Sequence, residues 1–126
     1  MAKLERFEDL QSWQKGRQLA NQIYELTLHV GFSRDFRLRD QINDAAGSEM
    51  HNITEGFDAG SHPEFILFFK MSRRSASEVQ SELYLALDRK YINTDDLNTV
   101  YSLATETKRL INGMIAYLRK SSAGKK

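Results

Sequence analysis

Residues 36–58 read FRLRDQINDAAGSEMHNITEGFD, and the conformation of this stretch decides the rest. Leu38, Ile42, Ala45, Ala46, Ile53 and Phe57 recur at helical steps and form one apolar face. The middle of the stretch, Ala45-Ala46-Gly47-Ser48, is small. Small side chains let two helix axes approach closely, because interaxial distance follows side-chain size. Gly56 and Gly60 read as its end. The pattern predicts a helix over 36–58 with a slim waist.

Upstream, Leu10, Trp13, Ala20, Tyr24 and Thr27 form one stripe, and Leu19, Ile23, Leu26 and Val30 a second beside it. They predict a helix over 9–29, with Asp9 as its N-cap and Gly31 as its stop. Downstream, Ser61 and Glu64 have capping-box spacing, and Pro63 falls in a first turn where its missing N–H is harmless. They open a predicted helix over 62–90 with the stripe Phe65, Phe68, Phe69, Ser72, Ala76, Val79, Leu83, Ala86, Leu87. A last helix is predicted over 94–119. It has Asp95 and Asp96 at the positive end of its dipole, and the stripe Leu97, Val100, Ala104, Thr107, Ile111, Met114, Leu118. Residues 121–126 read as a frayed basic tail. No stretch alternates like a strand, and the connections are short. The expectation is all-α: a single domain over 1–126, folded as an antiparallel up-down-up-down four-helix bundle.

Composition narrows the function. The 126 residues are 40% hydrophobic and 28% charged, an ordinary folded balance. The longest apolar run is far below the ~20 residues of a spanning helix, so no membrane is expected. Acidic residues follow Met1–Arg6 where a signal peptide would need an apolar stretch, and a cytoplasmic location is expected. Cysteine is absent, which excludes disulfides, thiolate catalysis and zinc–thiolate sites. There is no Glu-x-x-His of the kind that builds carboxylate-bridged metal pairs, and no glycine-rich phosphate loop. Glu25 with His29, His51 with Glu55, and Asp58 with His62 have the spacing of surface ion pairs. The chain is read as a non-enzyme without cofactor or metal.

Two features point to partners. Leu19, Ile23, Leu26, Leu103, Leu110 and Tyr117 form stripes beside the main apolar faces. Leu67, Met71, Tyr84 and Leu85 stand off the main face of the third helix. These are either one wide core-facing arc or a subunit interface, and self-association is the expectation. Charge is also uneven, although the net is only +1. Residues 31–60 carry three basic and six acidic groups, and residues 93–126 six basic and three acidic. Lys108, Arg109, Arg119 and Lys120 are therefore candidate nucleic-acid contacts. The alternative is that they solubilise a helix end and complement its dipole.

The run QINDAAGSEMHNITEG, residues 41–56, resembles the four-helix-bundle family encoded by intervening sequences of bacterial 23S ribosomal RNA genes. Gln41, Ile42, Ala45, Ala46, Ser48, Asn52, Ile53, Glu55 and Gly56 carry the likeness. So do Phe7, Leu10, Trp13 and Gln14 near the start, and Glu64, Phe65, Arg73, Ser75, Glu78, Leu83, Ala86, Leu87, Tyr91 and Ile92 later. The resemblance implies a left-handed bundle that assembles as a homopentamer, with no established enzymatic activity. It also implies a structural role for Gln41, Ser48, Asn52, Glu55, Gly56, Ser75 and Glu78. Distant relatives bind reverse transcriptases and nucleic acid with strongly basic surfaces, from which a chain at +1 departs. A protein-protein adaptor without nucleic-acid binding is the alternative function. Glu49 and Arg74 stand where the family usually has an aliphatic residue and glycine. Glu49 is expected to pair with Arg74 or Arg73, or otherwise to face solvent or a wet channel. Glu55 is expected to serve the first N–H groups of the following helix, and Asn52 to bridge the two helices.

Overall fold

The computed structural model describes residues 4–123. They are all-helical, with no strand among the described residues. A 3-10 turn, Phe7–Asp9, leads into α1 (Gln11–Leu26). A short α2 (Val30–Arg34) precedes α3 (Phe36–Asp58), α4 (His62–Asp88) and α5 (Thr94–Ala123).

The helix starts follow local hydrogen-bonding chemistry. Ser61 accepts from the Glu64 N–H at 3.3 Å and donates its hydroxyl to the Glu64 carboxylate at 2.9 Å. Pro63 sits in that first turn, and Gly60 reaches it through a left-handed φ of 90°. Asn93 and Asp96 cap α5 reciprocally: each side chain accepts from the other's N–H, at 2.8 and 3.3 Å. Asp35 starts α3 by accepting from the Leu38 N–H at 3.2 Å. The same carboxylate takes the Tyr91 hydroxyl at 2.8 Å and Arg89 at 3.0 Å. These three donors hold its pKa below the usual carboxylate value, the Tyr91 hydroxyl most strongly. One side chain thus ties the start of α3 to the end of α4.

The first predicted helix is corrected at both ends. Asp9 lies in the 3-10 turn, where it accepts from the N–H groups of Glu5 and Arg6; the N-cap position of α1 belongs to Leu10. The helix stops at Leu26, where the Thr27 hydroxyl turns back onto the Tyr24 carbonyl at 2.7 Å. Gly31 is no stop: it lies inside α2, close to the Tyr91 ring. At the other end of the chain α5 continues through Ala123, so residues 121–123 are helix rather than frayed tail. Residues 124–126 lie outside the described residues.

Each long helix packs against two others: α1 on α3 and α5, and α4 on α3 and α5. The interior is two apolar clusters. One gathers Leu19, Ile23, Leu26, Phe32, Leu38, Ile42, Ala46, Val79, Leu83 and Ala104. The other gathers Leu10, Ile53, Phe69, Ile111, Ile115 and Leu118. This overturns most of the expected interface. Leu19, Ile23, Leu26 and Leu103 lie inside the chain, where no partner reaches them. A helix that touches two neighbours and the centre buries a wide arc, so two adjacent stripes both face inward. Leu110 is half-buried and Tyr117 exposed.

Gly56 is likewise not an end signal but a point of close approach. A Cβ there would stand 2.7 Å from the Phe68 Cβ and 2.9 Å from the Phe65 ring. Gly56→Ala should therefore lower stability by about 1–3 kcal/mol through overpacking. Urea unfolding of the two proteins measures this, and a midpoint shifted down at constant slope is the expected result.

Candidate functional site

Between the two apolar clusters the helices contribute small or polar residues: Gly16 from α1, Glu49 from α3, Ser72 from α4 and Thr107 from α5. All four are buried. Ser72 donates its hydroxyl to the Glu49 carbonyl at 2.6 Å, and Thr107 donates to the Leu103 carbonyl at 2.8 Å. The Glu49 carboxyl lies against Gly16, where any Cβ would collide with it. It is 0% exposed, and neither oxygen has a hydrogen-bond partner. The expected ion pair does not form. Arg73 instead donates to Asn112 of α5 at 2.7 Å, and Arg74 is exposed. Nor does Glu49 face solvent. Burial alone pushes its pKa up to about 8, so the group is a neutral acid at pH 7.

Ser48, Asn52 and Ser75 of the motif meet at the α3/α4 seam. Asn52 donates to the Ser48 carbonyl at 2.9 Å and to the Ser48 hydroxyl at 3.1 Å. Ser75 donates to the same hydroxyl across the seam at 3.3 Å. The helices are thus bridged by two serines, while Asn52 bonds within its own helix. Asn43, Asp44, Gly47, Ser48, His51, Asn52 and Glu55 line an open groove of about 480 Å³ there. Gln41, Glu55 and Glu78 are exposed. The first N–H groups of α4 are served by Ser61 and not by Glu55.

A carboxylate cluster lies on the same seam. Glu82 is buried and carries an oxygen with no donor. Burial, a hydrogen bond to Glu78 and the charges of Glu78 and Asp44 together push its pKa to about 8. Glu82, one turn from Glu78 on α4 and with Asp44 of α3 nearby, therefore keeps its proton at pH 7. No group of His, Asp or Glu among the described residues has the arrangement to hold a metal ion. Glu25 and Glu55 form no ion pair with His29 and His51; His29 sits instead 3.2 Å from the Tyr91 carbonyl.

The basic candidates separate in space. Lys108 is held by α4, donating to Ser77 at 3.0 Å and to Gln80 at 2.8 Å. Arg109, Arg119 and Lys120 are exposed on α5. Arg109 borders an apolar cavity of about 430 Å³ formed by Leu4, Leu10, Leu110, Gly113, Met114 and Tyr117.

No helix among the described residues is long and apolar enough to cross a membrane. The chain belongs to the 23S rRNA-intervening sequence protein family, which it matches over residues 8–113. It is also similar to a crystal structure from Bacteroides thetaiotaomicron VPI-5482, a protein with unknown function from the S23 ribosomal protein family. That likeness has a TM-score of 0.75 at 24% identity and covers 82% of this chain and 97% of the other. No curated protein matches the sequence.

Glu49 gives a signed pH dependence. In the unfolded chain it ionises near 4.5; in the folded chain it keeps its proton to about 8. Between those values the unfolded state binds fewer protons, so the contribution of this group falls as pH rises. The slope is at most about 1.4 kcal/mol per pH unit. Stability should be greatest below the lower value and level off above the upper one. Glu49→Gln should flatten the decline, as read from urea midpoints at pH 5, 6.5 and 8. Glu55→Ala, at an exposed and unbonded position, should leave the melting temperature within about 1 °C, consistent with the small effect of such surface changes.

Proposed function

We propose that the protein is a non-catalytic oligomeric binding protein that contacts RNA or a ribonucleoprotein through the exposed cations of α5. The observation that carries this reading is the lack of any carboxylate partner for Arg109, Arg119 and Lys120 among the described residues. Three unneutralised cations on the C-terminal half of one helix are free for phosphates. The family's name, which ties it to 23S ribosomal RNA, supports the same direction.

In this reading residues 1–126 form one domain, a left-handed antiparallel up-down-up-down bundle. The cross-helix contacts support the topology. Gly56 lies by Phe65 and Phe68, Glu49 by Ser72, and Ser48 by Ser75, so α4 rises as α3 falls. Gln80 with Thr105 and Arg73 with Asn112 give the same sense for α4 and α5. The location is cytoplasmic, and neither cofactor nor metal takes part.

The assembly is a homopentamer, as the family resemblance implies. A ring of five needs two different patches on every copy, because its contacts are head-to-tail. Two exposed apolar regions fit. One is Tyr24, Leu28 and Phe36 at the end of α1 and the start of α3; the other is exposed Tyr117 with half-buried Leu110 and Met114 around the cavity at α5. Five copies turn a weak cationic patch into a multivalent one without any new contact.

Sedimentation tests the assembly. The wild-type mass should be five times that of one chain, and Leu110→Glu with Tyr117→Lys should reduce it to one. Gel shifts with a 23S ribosomal RNA fragment test the rest. Replacing Arg109, Arg119 and Lys120 by Gln should weaken binding at least tenfold. Wild-type affinity should fall as salt rises, because phosphate contacts release counterions. Binding that ignores salt, or survives the triple substitution, overturns the RNA reading. A nuclease-resistant protein partner would then favour the adaptor.

A further inference from the structure

The outward face of α4 is used neither by the fold nor by the proposed RNA contact. Leu67, Met71, Arg74, Glu78, Ser81 and Leu85 fall within one stripe of the helix by its 3.6-residue period. All six are exposed, and Leu67, Met71 and Leu85 are large apolar side chains left bare. Met71, Glu78 and Leu85 follow one another at seven-residue steps, the spacing of a seam that receives another helix. Its middle position is a carboxylate.

That carboxylate has unusual backing. Glu82 lies one turn further on and is 93% removed from solvent by its 7% exposure. Its free oxygen lacks a donor, and the group faces Glu78 and Asp44. Buried carboxylate oxygens normally find donors, since an unpaired one costs free energy. Among the described residues no cation reaches the cluster: Arg73 is held by Asn112, Arg39 by Asp40, and Arg74 makes no ion pair. A metal is excluded by the arrangement of the described carboxylates. What fits is a side-chain cation carried in on an apolar segment.

We propose that the outward face of α4 docks a basic amphipathic helix of another polypeptide, whose arginine or lysine enters the Asp44–Glu78–Glu82 cluster while its apolar side chains cover Leu67, Met71 and Leu85. The apolar stripe supplies contact area, and the carboxylates set the sign of the partner's charge. A guanidinium matches the cluster best, since its planar fork satisfies two carboxylate oxygens at once. Entry of the cation displaces the proton held by Glu82, so binding should release protons. The charged groups acting on Glu82 are Glu78 from its own helix and Asp44 from α3.

The test uses the full chain and no RNA, so its outcome is independent of the α5 reading. The probe is a synthetic 18-residue amphipathic helix with leucines on one face and arginines beside them, followed by calorimetry. The wild type should bind it, with proton release seen as a heat that differs between phosphate and Tris buffers. Asp44→Asn/Glu78→Gln/Glu82→Gln should weaken binding at least tenfold and remove the proton release. Glu5→Gln/Glu25→Gln removes the same two negative charges at exposed sites elsewhere and should leave the affinity within twofold. Leu85→Ser should weaken binding without altering the helical circular dichroism. The proposal is overturned by no binding, by equal loss in the charge-matched control, or by spermidine competing at the same concentration as the peptide. A Leu85→Ser protein that dissociates into single chains, with no peptide bound by either form, would assign the face to a second copy and overturn it too.

Discussion

The Ser72 hydroxyl meets the Glu49 carbonyl at 2.6 Å, and that contact sets how near α3 and α4 lie. A hydroxyl reaches a backbone oxygen on another helix only where no bulky side chain keeps the axes apart. Gly56 against Phe65 and Phe68 at one level, and Ser48 with Ser75 at the next, continue the same close approach. The α3/α4 seam is the most extensive in the molecule, and α1 and α5 pack onto the pair it forms. Ser48 and Gly56 of the 41–56 run therefore lie where two helices touch.

How much of this was legible in the sequence differs by kind of information. The helical period and part of the capping chemistry were visible residue by residue: Ser61, Pro63 and Glu64 open α4, and Asp95 and Asp96 stand in the first turn of α5. The small waist of α3 correctly announced a close neighbour. Local signals misled where tertiary contacts set the outcome. Gly31 and Gly56 looked like stops, yet each gives space to an aromatic ring from another element. The doubled stripes of α1 and α5 looked like a subunit interface because no sequence reveals how wide an arc four packed helices bury.

Glu49 shows the sharpest conflict. Its position in the period said interior, while its charge said partner or solvent. The period prevailed: the carboxyl is dry, unpaired and protonated, which removes the cost of burying a charge and leaves that of a buried polar group. The Asp44–Glu78–Glu82 cluster was invisible for a different reason. Glu78 and Glu82 are neighbours by spacing, but bringing Asp44 beside them requires the register of α3 on α4, which no local pattern contains.

Only Ala59 to Ser61 separate the two helices of the principal seam. Their pairing thus closes a very small loop, and the entropic toll of bringing them together is correspondingly slight. A ribosome releasing this chain would present α3 and α4 as a finished hairpin before α5 had fully emerged. A nucleus built from neighbours in sequence makes for rapid folding and for little time spent with bare apolar surface in a crowded cell.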